Sequence, residues 1–294
     1  MKPLFAALPG NEAIAGRLAE AAHADICACE FRAFPDGESY IRVNGSPKDR
    51  TVVLVSSLAH PNEKFLPLIF AANTLRELGA RRIGLVAPYL AYMRQDCRFR
   101  SGEAVTSRIF AGLLSRGFDW LVTVDPHLHR YKSLDEIYSI PCRALHAGPA
   151  IAEWIKRNVD SPFIIGPDGE SRQWVAAVAA ACGAGYDVFQ KSRLGDRSVA
   201  ISAPSLQIPP DATPVLLDDI VSSGATVLQA MAIVRRHTPS PALAIAIHML
   251  GDESLGAALD RIGARLITTN TIPTSHAEID VAPLLAKDLA ALVP

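Results

Sequence analysis

Short, mostly apolar strand-like runs recur along the chain at residues 51–55, 83–87, 121–124, 163–165, 215–217, 243–247 and 266–269, with segments of helical length between them. A strand buried on both faces reads as a continuous apolar run, and strands alternating with helices argue for parallel sheets flanked by helices. The expected fold class is therefore α/β.

The pattern also repeats. A strand, helix and strand beginning at residue 51 are echoed from residue 214, and residues 108–125 are answered by residues 254–270. The echo predicts two similar domains, at residues 1–142 and 143–294, with the crossing within residues 141–148 and room for the C-terminal tail to pack back on the first domain.

Composition narrows this little. With 294 residues, 49% hydrophobic and 20% charged, the chain is an ordinary globular one with room for two modest domains. A formal net charge of −1 provides no global basic field for nucleic acid or an anionic membrane, so anionic ligands must be met by local clusters. The five cysteines form neither a zinc-ligand pattern nor a disulfide framework, and reduced thiols are expected. No basic flank precedes an apolar leader and no apolar run is long enough to span a bilayer, so the expected location is the cytoplasm.

The densest chemistry follows the apolar run at residues 215–217. Asp218 and Asp219 lead through Ser222, Ser223, Gly224, Ala225 and Thr226 into a predicted helix at residues 227–236. Small residues let backbone N–H groups converge on an anion, and the unpaired donors and positive dipole end of a helix favour phosphate. The two carboxylates accept hydrogen bonds, which suits sugar hydroxyls beside that phosphate or a divalent cation held through water. Helix capping explains Ser222 or Thr226 taken singly. The whole string points to a phosphorylated sugar.

Other strand ends are chemically loaded as well. Arg94, Arg98 and Arg100 crowd one loop, as expected for a polyphosphate site or for a solvated patch paired with Asp96 and Glu103. His127 and His129 follow Asp125, but no further ligands complete a zinc site. Asp168 lies in a turn after residues 163–165, suited either to magnesium with retained waters or to a cap. Lys191 and Arg193 alternate in a basic hairpin or flap, where an extended backbone points both to one side.

Several motifs then agree in order and spacing with one family. Phe34-Pro-Asp-Gly-Glu38, His60-Pro-Asn-Glu63 and Tyr92-Met-Arg-Gln-Asp96 make the chain resemble ribose-phosphate pyrophosphokinase over nearly its full length, and the Phe-x-x-Gly-Glu form at Phe99 to Glu103 is closer to the shorter, archaeal-type members than to the common bacterial enzyme. The resemblance implies two phosphoribosyltransferase-like domains, each a mostly parallel sheet flanked by helices. It further implies Mg2+-dependent transfer of the diphosphoryl group of ATP to the anomeric hydroxyl of ribose 5-phosphate, with AMP as the leaving product, by a homo-oligomer.

By the same resemblance, Phe34, Asp36 and Glu38 hold adenine, and Arg94, Gln95 and Asp96 address ATP. His127 and Asp168 bind or orient Mg2+. Asp218 and Asp219 hold ribose hydroxyls, residues 222–226 cradle the 5-phosphate, and Lys191 and Arg193 stabilise the transferred group. Pro126 and residues 169–171 depart from the usual family pattern. The competing readings are a non-catalytic regulatory homologue that binds nucleotide or sugar phosphate, and a phosphoribosyltransferase that consumes the sugar diphosphate.

Overall fold

The computed structural model describes residues 1–193, 199–202 and 206–293, with backbone alone for residues 190–193 and 199–202. It divides into two compact units, Met1–His146 together with Ala282–Pro294, and Ala147–Val281.

The first unit runs β1 (Leu4–Ala7), α1 (Glu12–Ala21), β2 (Asp25–Ile26), β3 (Ala28–Ala33), β4 (Ser39–Asn44), β5 (Thr51–Val55), α2 (Pro61–Glu77), β6 (Arg82–Ala87), α3 (Thr106–Gly117), β7 (Trp120–Val124) and β8 (Cys142–Leu145). The second runs α4 (Gly148–Asn158), β9 (Pro162–Gly166), α5 (Arg172–Cys182), β10 (Gly185–Val188), β11 (Gln190–Arg193), β12 (Val199–Ser202), β13 (Thr213–Val221), α6 (Ala225–His237), β14 (Ala242–Met249), α7 (Ser254–Asp260), β15 (Ala264–Thr269) and β16 (Ala277–Ile279). The final helix, α8 (Ala282–Leu292), belongs to the first unit and packs on α1.

Among the described residues each unit holds a six-stranded parallel sheet. The strand orders are β2-β1-β5-β6-β7-β8 and β10-β9-β13-β14-β15-β16, which are the same order. Every residue of β5 and β7 is buried, as a strand covered on both faces requires. Helices cover the faces through stripes at helical spacing, such as Phe110, Ala111 and Leu114 on α3 and Val227, Ala230, Met231 and Val234 on α6. Fully burying one such Leu or Val is worth about 1.5–3 kcal/mol. Close packing is enforced at Gly84, where an added Cβ would lie 1.9 Å from the Trp120 ring. No helix among the described residues is long and apolar enough to cross a membrane.

Outside the sheets stand two antiparallel hairpins, β3–β4 and β11–β12. In each sheet the connections reverse direction beside the central strand, between β1 and β5 and between β9 and β13. Ligands of open parallel sheets lodge beyond the carboxyl ends of strands at such a switch point.

Candidate active site

In the second unit the switch point carries carboxylates from both strands that flank it. Asp168 follows β9, and Asp218 and Asp219 close the central part of β13. The Asp219 N–H donates to Asp218 Oδ1 at 3.0 Å, and the Ile220 N–H donates to Asp219 Oδ1 at 2.8 Å. Burial pushes the Asp218 carboxyl up to about 8, and the negative charges of Asp219 and Asp168 push in the same direction. Asp219 and Asp168 thus both act on Asp218 at the mouth of the sheet.

Next to them the chain turns sharply into α6. Gly224 has φ +75°, a left-handed conformation that glycine adopts without a steric penalty, and it directly precedes the first residue of the helix. Ser222, Ser223, Ala225 and Thr226 are exposed whereas Gly224 is buried, so the loop presents its small side chains outward. Ser223 Oγ accepts from the Ala225 N–H at 3.5 Å, a long bond that leaves the helix start weakly capped from within. An anion-accepting helix terminus results.

Residues distant in sequence build the back of this loop. A Cβ on Gly251 would lie 2.2 Å from the Ser222 carbonyl oxygen, and one on Gly224 would lie 2.5 Å from Leu255 Cδ1. Gly251 and Leu255 escaped the sequence reading because pairing of β13 with β14 brings them here, and no local motif marks them.

Asp168 is partly committed. Its Oδ1 accepts the N–H groups of Glu170 at 3.0 Å and Ser171 at 3.2 Å, and Ser171 Oγ donates to the Asp168 carbonyl at 2.6 Å. These bonds close a tight turn over residues 168–171, just ahead of α5. Among the described residues no three His, Cys, Asp or Glu side chains converge closely enough to hold a metal by themselves. Magnesium retains several waters and takes few protein carboxylates, so carboxyl groups grouped beside an exposed helix start fit a hydrated cation better than a closed cage.

The corresponding corner of the first unit is filled from inside. Asn11, 2% exposed, accepts from the Ser57 N–H at 2.7 Å through Oδ1, and its amide nitrogen donates to the carbonyls of Leu8 and Pro9. Lys64 Nζ donates to the Ser57 carbonyl at 2.8 Å, and burial pushes its ammonium down. Side chains thus take up the backbone groups that the second unit presents in an open loop.

The first unit instead concentrates its exposed chemistry on loops. Phe34, Asp36 and Glu38 sit at the tip of the β3–β4 hairpin, closed by Phe34 N–H to the Glu38 carbonyl at 2.7 Å and by Glu38 N–H to Asp36 Oδ1 at 3.1 Å. Phe34 is 40% exposed and meets Tyr40 edge-on at 6.1 Å, while the Arg32 guanidinium lies 4.9 Å from the Phe34 ring centre and 3.8 Å from that of Tyr40. Cation–π contacts of this kind hold an exposed aromatic ring in one orientation.

After β6, Arg94 is exposed, Gln95 is half-buried and its carbonyl accepts the Ser107 N–H, and Asp96 is buried. Of the alternative pairing of this basic loop with Asp96 and Glu103, the structure shows Arg98 Nε donating to the Glu103 carbonyl at 2.8 Å, with the two carboxylates engaged elsewhere. Asp96 binds Arg130, and Glu103 Oε2 takes the backbone N–H groups of Phe99 and Arg100, because those donors close the turn locally. His127 and His129, after β7, meet edge-on at 4.0 Å. Asp125, just before them, has φ +36° and is bonded at 2.8 Å to His146 Nδ1; that bond, chiefly, raises the imidazole pKa.

Lys191 and Arg193 lie on β11, opposite Ile201 and Val199 of β12. Their side chains and the hairpin tip at residues 194–198 fall outside the described residues.

Comparison with known proteins matches this architecture. Residues 4–117 match the N-terminal domain of ribose phosphate pyrophosphokinase, and residues 133–283 match the phosphoribosyl transferase domain. The ribose-phosphate pyrophosphokinase of Methanothermobacter thermautotrophicus is 34% identical over 279 residues, covering 94% of this chain and 96% of that one. That of Saccharolobus solfataricus is 35% identical over 270 residues, covering 88% and 91%. The crystal structure of phosphoribosylpyrophosphate synthetase from Mycobacterium smegmatis superposes with a TM-score of 0.82 at 24% identity, covering 99% of each chain, and so shares the fold. The chain therefore belongs to the ribose-phosphate pyrophosphokinase family and is an enzyme built on two phosphoribosyltransferase-type sheets.

Proposed function

We propose that this enzyme transfers the β,γ-diphosphoryl group of ATP to the anomeric hydroxyl of ribose 5-phosphate, forming phosphoribosyl pyrophosphate and AMP. One observation carries the reading: paired carboxylates on β13 run directly into a glycine-turned, weakly capped helix start at the switch point of the second sheet. Phosphate suits the helix start, and hydroxyls suit the acids.

In this reading Ser222, Ser223, Gly224, Ala225 and Thr226 bind the 5-phosphate, while Asp218 and Asp219 accept hydrogen bonds from ribose hydroxyls. Phe34, Asp36 and Glu38 hold adenine; Arg94 and Gln95 meet the polyphosphate, and Asp96 contributes by fixing Arg130. Bound Mg2+ offsets phosphate charge and polarises the phosphoryl oxygens. Asp168 would hold it through oxygen. His127 offers nitrogen to a cation that prefers oxygen, which suits orienting a water or a phosphate oxygen. Lys191 and Arg193 neutralise charge on the group in transit, in a reaction where positioning and electrostatics carry most of the catalysis.

The reading includes a homo-oligomer, supported by the exposed apolar residues Leu66 and Phe70 on α2 and Ile109 on α3. Sedimentation of the pure protein tests that part. The activity is tested by incubating the protein with ATP, Mg2+ and ribose 5-phosphate. AMP should appear only when the sugar phosphate is present. Ligand binding without turnover would instead establish a regulatory homologue.

A further inference from the structure

The turn between β14 and α7 is fastened on two sides. Toward β13, the Leu250 N–H donates to the Val221 carbonyl at 2.8 Å, and Gly251 and Leu255 press against Ser222 and Gly224 so closely that a Cβ at either glycine would collide. The backbone of the candidate phosphate loop therefore rests on residues 251 and 255.

On the other side Glu253 gathers residues 274–276. Its Oε1 accepts from Thr274 Oγ1 at 3.0 Å and from the Ser275 N–H at 3.1 Å. Its Oε2 accepts from the Ser275 hydroxyl and lies 3.2 Å from His276 Nε2. Gly256 makes room for this: a Cβ there would stand 2.3 Å from His276 Cε1. None of these bonds starts the helix, since the Ser254 N–H is already taken by Asp252 Oδ1 at 2.8 Å. The Glu253 carboxylate is spent on a segment twenty-odd residues away in sequence.

We infer that Glu253 is a positioning residue for the ribose 5-phosphate loop: by tying the β14–α7 turn to residues 274–276, it holds Gly251 and Leu255 against residues 222–224 and presets the N–H groups that receive the phosphate. The inference rests on the functional reading above. A loop ordered before binding spares the ligand an ordering cost, so loss of the latch appears in sugar-phosphate affinity and spares the nucleotide.

The test compares Glu253→Ala, Glu253→Gln and Ser275→Ala with the wild type, using steady-state kinetics, calorimetric binding of ribose 5-phosphate, and thermal denaturation. Glu253→Ala should raise KM for ribose 5-phosphate about 10-fold while kcat and KM for ATP stay within about two-fold. Glu253→Gln, whose amide oxygen still accepts from the Ser275 N–H, should recover most of the loss, and Ser275→Ala should fall between. If Glu253→Ala does not fold, Ser275→Ala carries the same test, with a rise of about three-fold confined to the sugar phosphate. A lowered melting temperature with unchanged KM for ribose 5-phosphate, or equal rises for both substrates, overturns the inference alone. A wild-type protein that binds no ribose 5-phosphate overturns the functional reading and the inference together.

Discussion

Arg130 Nη1 lies 2.6 Å from Asp96 Oδ1, joining the loop after β7 to the loop after β6. The acid side chain is 3% exposed and the arginine side chain 52% exposed; the Tyr131 hydroxyl also donates to the Asp96 carbonyl at 3.0 Å. Asp96 is thus an internal anchor for two loops assigned to nucleotide and metal. Removing one partner of a fully buried pair costs about 3–5 kcal/mol, but solvent around Arg130 lowers the expectation for Asp96→Asn to about 1–2 kcal/mol. KM for ATP should rise with little change in ribose 5-phosphate affinity. Thermal denaturation and steady-state kinetics measure both effects.

The raised carboxyl pKa of Asp218 makes stability depend on pH. Desolvation, reinforced by Asp219 and Asp168, lifts it from 3.8 to about 8. Between those values the folded state holds a proton that the unfolded chain has released, so this group's stabilising effect is complete below pH 3.8 and is lost as pH rises through about 8. Asp218→Asn should therefore melt higher than the wild type at pH 8.5 while binding ribose 5-phosphate poorly. Melting curves across pH check the sign. A variant less stable than the wild type at high pH would contradict the electrostatic origin.

Gly224 is the most demanding position of the candidate phosphate loop. Its φ of +75° and the nearby Leu255 oppose any side chain. Gly224→Ala should cost about 1–3 kcal/mol through left-handed strain and crowding, and should weaken sugar-phosphate binding as the helix start shifts. Denaturant unfolding and calorimetry would show the two losses together.

Lys191→Ala should lower kcat by about 100-fold or more with a much smaller change in KM for ATP, because the proposed contact strengthens as charge develops on the transferred group. An unchanged kcat would remove Lys191 from the mechanism.

The sheets were legible in sequence because parallel strands covered on both faces are predominantly apolar: residues 51–55, 121–124 and 163–165, with Thr51 and Thr123 as their polar members, announce β5, β7 and β9. The β3–β4 hairpin was not. Its residues are half-buried or exposed, Glu30 and Arg32 stand among Cys29 and Phe31, and no apolar contrast separates it from a loop. The strand, loop and helix of the candidate phosphate site were visible because strand, small residues and helix are contiguous. Gly251, Glu253 and Leu255, like the pairing of Asp96 with Arg130, depend on strand pairing and loop closure between distant segments, which local spacing does not encode.

The bond that breaks in ATP distinguishes diphosphoryl transfer from every competing reading. Wild-type protein is incubated with Mg2+, ribose 5-phosphate and ATP labelled at the β phosphorus, and the products are separated. The label should appear in phosphoribosyl pyrophosphate in step with unlabelled AMP. Label recovered in ADP, or retained entirely in ATP while ribose 5-phosphate is bound, would contradict the proposed reaction.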